Sequence, residues 1–134
     1  KAHGEREGSE VTIISYGNSM ARFARPATKV LVEEEGIDVE LIDLRTLRPL
    51  DLPTIVNSVK KTNRCVIVSE DYGYCGMGGA ILAQLQKPCF DYLDAPIENI
   101  HSDEIPVPFN HYMEQAMMPS VEKVVAAVKE VTYR

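Results

Sequence analysis

At 134 residues the chain is long enough for one domain that buries roughly two-thirds of its unfolded surface. Composition is that of an ordinary globule, 45% hydrophobic and 25% charged, and the net charge of −6 argues against the basic stripe a nucleic-acid interface needs. No apolar run approaches the ~20 residues of a helical membrane span, and Cys65, Cys75 and Cys89 form neither a C-x-x-C pair nor a metal-ligand spacing, so reduced, mostly buried thiols are expected.

The chain opens on a polar, aperiodic decapeptide, residues 1–10, which reads as a linker from an upstream domain. Residues 11–134 then form the domain proper. Val11–Tyr16 is a short apolar run ending at Gly17-Asn18 and predicts a buried strand. Met20, Phe23, Ala24, Ala27, Val30 and Leu31 fall at helical spacing, with Gly36 as a stop. Pro26 lies inside that pattern, so it either kinks the helix or marks the first turn of a second one. Val39–Asp43 predicts the next strand. Asp51 is a candidate N-cap, with Pro53 in the first turn of a helix whose stripe is Ile55, Val56 and Val59. Cys65–Ser69 is the third strand, and a helix is predicted over Gly78–Leu85. Phe90–Leu93 and Ile97–Ile100 are short strand candidates. Pro106, Pro108 and Pro119 punctuate a long loop with room for a short helix around His111–Met117. Ser120 caps a last helix with the stripe Val121, Val124, Val125 and Val128.

Strands alternating with helices predict an α/β fold of three layers: a mostly parallel, twisted sheet with helices on both faces. Ligands of such sheets often sit at the strands' carboxyl ends, here Tyr16–Asn18, Asp43–Arg48 and Glu70–Gly79. The last of these holds Gly73, Gly76, Gly78 and Gly79. A G-x-G-x-x-G/A fingerprint begun at Gly76 fails at Ile81. A G-x-x-x-x-G-K-[ST] loop begun at Gly73 has Gly79 in place of the lysine and Ala80 in place of the hydroxyl. Gly76, Gly78 and Gly79 therefore make only a weak anion loop, built from backbone N–H groups at a helix start. Close packing of the third helix on the sheet is the stronger expectation for these small residues. There is no G-x-S-x-G elbow, and no residue stands out as catalytic, cofactor-binding or metal-ligating.

The order of motifs carries more information. Asp43-Leu-Arg-Thr-Leu-Arg-Pro-Leu-Asp51 follows the second strand, Ser58-Val-Lys-Lys-Thr-Asn-Arg64 leads to Val66-Ile-Val-Ser-Glu70, and the glycine loop comes next. Phe90-Asp-Tyr-Leu-Asp-Ala-Pro96 and Asp103-Glu-Ile-Pro-Val-Pro108 complete the series. Taken together they resemble the C-terminal transketolase-like domain of pyruvate dehydrogenase E1 β subunits, within the 2-oxo acid dehydrogenase family.

That resemblance implies an enzyme that uses thiamine diphosphate and Mg²⁺ to decarboxylate pyruvate and pass the acetyl group to a lipoyl arm on E2. The cofactor would lie between the α subunit and the N-terminal domain of β, and none would be bound by this domain alone. The domain's role would be assembly with the E1 α subunit and a second β subunit, and docking of the E2 peripheral subunit-binding domain. Asp94 matches the family position whose carboxylate pairs with basic E2 side chains; locally it also reads as a turn residue before Ala95-Pro96. The chain terminus lies near that contact in some members, and here it ends in Tyr133-Arg134, which adds a positive charge. Phe109, Tyr112, Met113 and Met117 make either a subunit interface or a satellite core. Arg45 and Arg48 are expected to serve structural pairing, with Asp43, Asp51 or a neighbouring subunit, more than ligand contact. The family places the protein in the mitochondrial matrix, with bacterial cytoplasm as the alternative. Two other readings stay open: a β-subunit domain of a branched-chain or other thiamine enzyme, and a free-standing domain that binds a small anion at Gly76–Gly79.

Overall fold

Val11–Ser15 (β2) is buried at every position, which a strand achieves only with a neighbour on each side and a layer on each face. The structure, a computed structural model, describes residues 2–45, 51–72, 77–102 and 119–134. Among these residues the strands His3–Arg6 (β1), β2, Val39–Asp43 (β3), Cys65–Tyr72 (β4) and Glu98–Ser102 (β5) form one sheet in the order β1-β3-β2-β4-β5. β3, β2, β4 and β5 are parallel, and β1 pairs antiparallel with β3 at the edge.

The order reverses at β2. One crossover, Arg25–Glu33 (α1), leads from β2 to β3, and the next, Leu52–Thr62 (α2), leads back past β2 to β4. Parallel crossovers keep one hand, so successive helices that travel in opposite directions land on opposite faces. The core follows this division, because alternate strand residues point to alternate faces. Val11, Ile13, Leu41, Val66 and Val68 pack with α1 and the last helix, Val121–Val131 (α4). Ile14, Ile42, Cys65 and Ile67 pack with α2 and with Met77–Cys89 (α3). The expected three-layer α/β architecture is the one found.

Local signals act where the sequence places them. Met20–Ala24 forms a π-helical turn, and α1 begins at Arg25 with Pro26 in its first turn, where a missing N–H is harmless. Gly36, at φ +67°, ends the segment in a left-handed conformation. Asp51 caps α2, accepting the Thr54 N–H at 3.4 Å and the Thr54 hydroxyl at 2.7 Å. Those hydrogen bonds, with one from the Ala2 N–H, hold its carboxyl below the usual range. Ser120 caps α4 through the Lys123 N–H at 3.1 Å.

Two expectations are corrected. Residues 3–6, expected within a linker, form the edge strand β1, anchored by Arg6 to the Val39 carbonyl at 2.7 Å and to Asp38 at 2.9 Å. Its polar sequence suits an edge that faces water and discourages further pairing. Phe90–Leu93, expected as a strand, begins as a 3₁₀ turn over Phe90–Tyr92. α3 runs through Pro88 to Cys89 and leaves no extended residue before it. The Pro88 ring interferes only with the last turn, so the helix stops one residue later. Cys65 and Cys89 are free and buried, and burial raises both thiols above their usual range. Cys75 and the His111–Met117 helix lie outside the described residues.

Candidate functional site

The carboxyl ends of the strands are where ligands of open α/β sheets usually bind. Gly17 adopts φ +61° and Asn18 is exposed after β2. Asp43 spends one carboxylate oxygen on the backbone N–H of Arg45, at 2.9 Å, so the anticipated pairing of these residues runs through the main chain. Gly78 and Gly79 stand in the first turn of α3. A Cβ on Gly78 would meet Asn99 Oδ1 at 2.7 Å and Ser69 Oγ at 3.2 Å, so this glycine lets the helix close on β4 and β5. Gly76, Arg48, Phe109, Tyr112, Met113 and Met117 lie outside the described residues. Among the described residues no three His, Cys, Asp or Glu side chains cluster as a metal site.

A different set of side chains converges at the opposite rim, formed by the residues that precede β2, β4 and β5. Parallel strands bring their amino ends together, so Glu10, Arg64 and Asp94 become neighbours although far apart in sequence. Asn63, left-handed at φ 67°, ends α2 and turns the chain into Arg64. The Arg64 carbonyl accepts the Thr12 N–H at 2.9 Å and the Thr62 hydroxyl at 3.0 Å. Thr62 is itself tied to Thr12 Oγ1 at 2.7 Å, which is tied to Ser58 Oγ at 2.8 Å. This buried hydroxyl ladder fixes the turn against the sheet.

Asp94 is held on that turn. Its N–H donates to the Asn63 carbonyl at 2.9 Å, and its own carbonyl accepts the Tyr133 hydroxyl at 2.7 Å. Its carboxylate stands 3.7 Å from an Arg64 guanidinium nitrogen, with the Asp94 side chain 55% exposed. Arg64 also donates to the Glu10 carbonyl at 3.1 Å, and Arg134 pairs with the Glu10 carboxylate at 3.2 Å. The last two residues of the chain therefore sit beside Asp94. Glu98, further along the same stretch, has its carboxyl pushed up first by burial and then by Glu130.

A groove of about 440 Å³ runs alongside, lined by Leu82, Phe90, Leu93, Asp94, Pro96 and Ile97. Phe90 is 70% exposed and Tyr92 46%, with the Lys60 ammonium 4.9 Å from the Tyr92 ring. Exposed aromatic surface beside a fixed carboxylate is the composition of a protein-binding patch more than of an active site. Sequence reasoning reached Asp94 through resemblance alone. The resemblance also pointed to the terminus Tyr133-Arg134; sequence reasoning missed Arg64 and Glu10, whose one signal is that both lie just before apolar runs of parallel strands.

The transketolase C-terminal domain family matches residues 1–124. The pyruvate dehydrogenase E1 component subunit beta of Rickettsia felis is 47% identical over 128 residues, covering 96% of this chain and 39% of that protein. The mitochondrial subunit beta of Dictyostelium discoideum is 43% identical over 134 residues, covering all of this chain and 37% of that one. Among solved structures, a split-gene transketolase described as an inactive β4 tetramer superposes with a TM-score of 0.79 at 25% identity, over 99% of this chain and 41% of that one. The chain thus spans well under half the length of the relatives it matches. With the family model matched over residues 1–124, the chain belongs to the transketolase C-terminal domain family.

Proposed function

We propose that this chain is the C-terminal domain of a pyruvate dehydrogenase E1 β subunit and serves assembly and partner docking. In the whole enzyme thiamine diphosphate, held with Mg²⁺ by the other domains, supplies the chemistry that decarboxylates pyruvate before acetyl transfer to lipoyl-E2. This domain joins the E1 α subunit and a second β subunit, and offers Asp94 to basic side chains of the E2 peripheral subunit-binding domain. Phe109, Tyr112, Met113 and Met117 are assigned to the subunit interface. The relatives named above are pyruvate dehydrogenase subunits from a bacterium and from a mitochondrion, which favours the pyruvate substrate over branched-chain 2-oxo acids. The site of action is the mitochondrial matrix or the bacterial cytoplasm accordingly.

The observation that carries the docking role is the exposed carboxylate of Asp94, a residue whose main chain is held by hydrogen bonds beside an apolar groove. A half-exposed carboxylate meeting cations gives salt-sensitive binding of modest net strength. Calorimetric titration of the assembled α/β enzyme with the E2 subunit-binding domain tests this. Asp94→Asn keeps the shape and the backbone hydrogen bonds, and is expected to weaken binding about 10-fold at low salt, less at moderate salt. Equal affinity of variant and parent at both salts would remove Asp94 from the contact.

A further inference from the structure

The partner charge reaches a carboxylate that already has a companion. Arg64 lies 3.7 Å from Asp94 and is only 25% exposed, on a turn pinned by the Thr12 and Thr62 hydrogen bonds. Its Nε is buried and has no hydrogen-bond partner, and its NH1 is committed to the Glu10 carbonyl. The guanidinium is thus held in place by groups other than Asp94, and does not depend on the ion pair for its position. Asp94 is more than half exposed, and its other flank is open to solvent along the groove.

We infer that Arg64 is a built-in competitor at the docking carboxylate: its fixed charge lowers the attraction of Asp94 for any cationic partner, keeping the contact readily reversible. The inference rests on the docking role proposed for Asp94. Two positive charges sharing one carboxylate repel each other, and at a partly buried rim this repulsion is only partly screened. Arg64 is therefore a tuning residue that sets how long a basic partner stays. Arg134 supplies a comparison within the same cluster, because it carries the same charge and pairs with Glu10 instead.

A double-mutant cycle on the assembled enzyme, titrated with the E2 subunit-binding domain, tests this. Arg64→Gln is expected to tighten binding about 3- to 10-fold, and this gain should vanish in the Asp94→Asn background. Arg134→Gln removes an equal charge and is expected to change affinity by less than about 2-fold. Arg64→Met is a second neutral variant that keeps the apolar stem, and thermal melting shows that each protein is folded. Unchanged or weaker binding by Arg64→Gln, with Asp94→Asn still weakened, would overturn the competitor role and leave the docking role standing. The same gain in the Asp94→Asn background would also overturn it, as a mere effect of net charge. If Asp94→Asn binds like the parent, the docking role itself fails and this inference with it.

Discussion

Gly8→Ala is expected to destabilise the domain by about 3 kcal/mol, at the upper end for an overpacked site. A Cβ at Gly8 would stand 2.3 Å from the Val39 carbonyl carbon, 2.4 Å from its oxygen and 2.6 Å from the Glu40 nitrogen. These are backbone atoms of β3, paired on both sides, so no side-chain rotation relieves the contact. Gly8 also donates its N–H to Glu40 Oε1 at 3.2 Å, and the same carboxylate takes the Lys61 ammonium while its other oxygen takes the Ser58 hydroxyl. Pushing the chain away from β3 would break into that buried network. Urea unfolding of the Gly8→Ala and Gly4→Ala variants compares a crowded glycine with an open one, since nothing lies within 4 Å of a Cβ at Gly4. Equal midpoints for the two would show that residues 8–10 do not lie against β3 as described.

The second large effect is expected at Gly78. Valine there places its Cβ against Asn99 Oδ1 and Ser69 Oγ, at 2.7 and 3.2 Å, and adds branched methyl groups in the first turn of α3. Ser69 is fully buried, and neither Ser69 Oγ nor Asn99 Oδ1 has a hydrogen-bond partner, so the clash falls on buried polar atoms. A loss of about 2–3 kcal/mol follows from overpacking beside buried polar atoms. Thermal melting of Gly78→Val should fall by about 10 °C for a domain of this size. A variant that melts like the parent would mean that α3 is not seated so closely, and would return Gly78 to the status of a ligand-loop glycine.

These glycines show what the sequence makes legible and what it hides. The parallel core was readable because strands covered on both faces are mostly apolar, as Cys65–Val68 is throughout and Val11–Ser15 is apart from Thr12 and Ser15. Helix starts were readable because Asp51 and Ser120 are the residue types that satisfy orphan N–H groups. β1 was hidden: an edge strand has one partner and one wet side, so its sequence looks like that of a linker. Phe90–Tyr92 misled because aromatic residues favour strands, while here two of them are spent on an exposed surface. The rim cluster was hidden for a topological reason. Sequence reasoning about α/β folds points to strand carboxyl ends, whereas Glu10, Arg64 and Asp94 meet at the amino ends. Asp94 stands in a bend before Ala95-Pro96 and carries an exposed carboxylate, so its two readings are compatible.

The docking role concerns one rim of one sheet, and amide hydrogen exchange of the assembled enzyme addresses it most directly. Exchange would be followed with and without saturating E2 subunit-binding domain. Protection is expected in residues 90–97, in the Asn63-Arg64 turn and in the last residues around Tyr133, all at the amino rim. Protection that leaves residues 90–97 unchanged and falls at the strands' carboxyl ends, around Tyr16–Asn18 and Asp43–Arg45, would contradict the account.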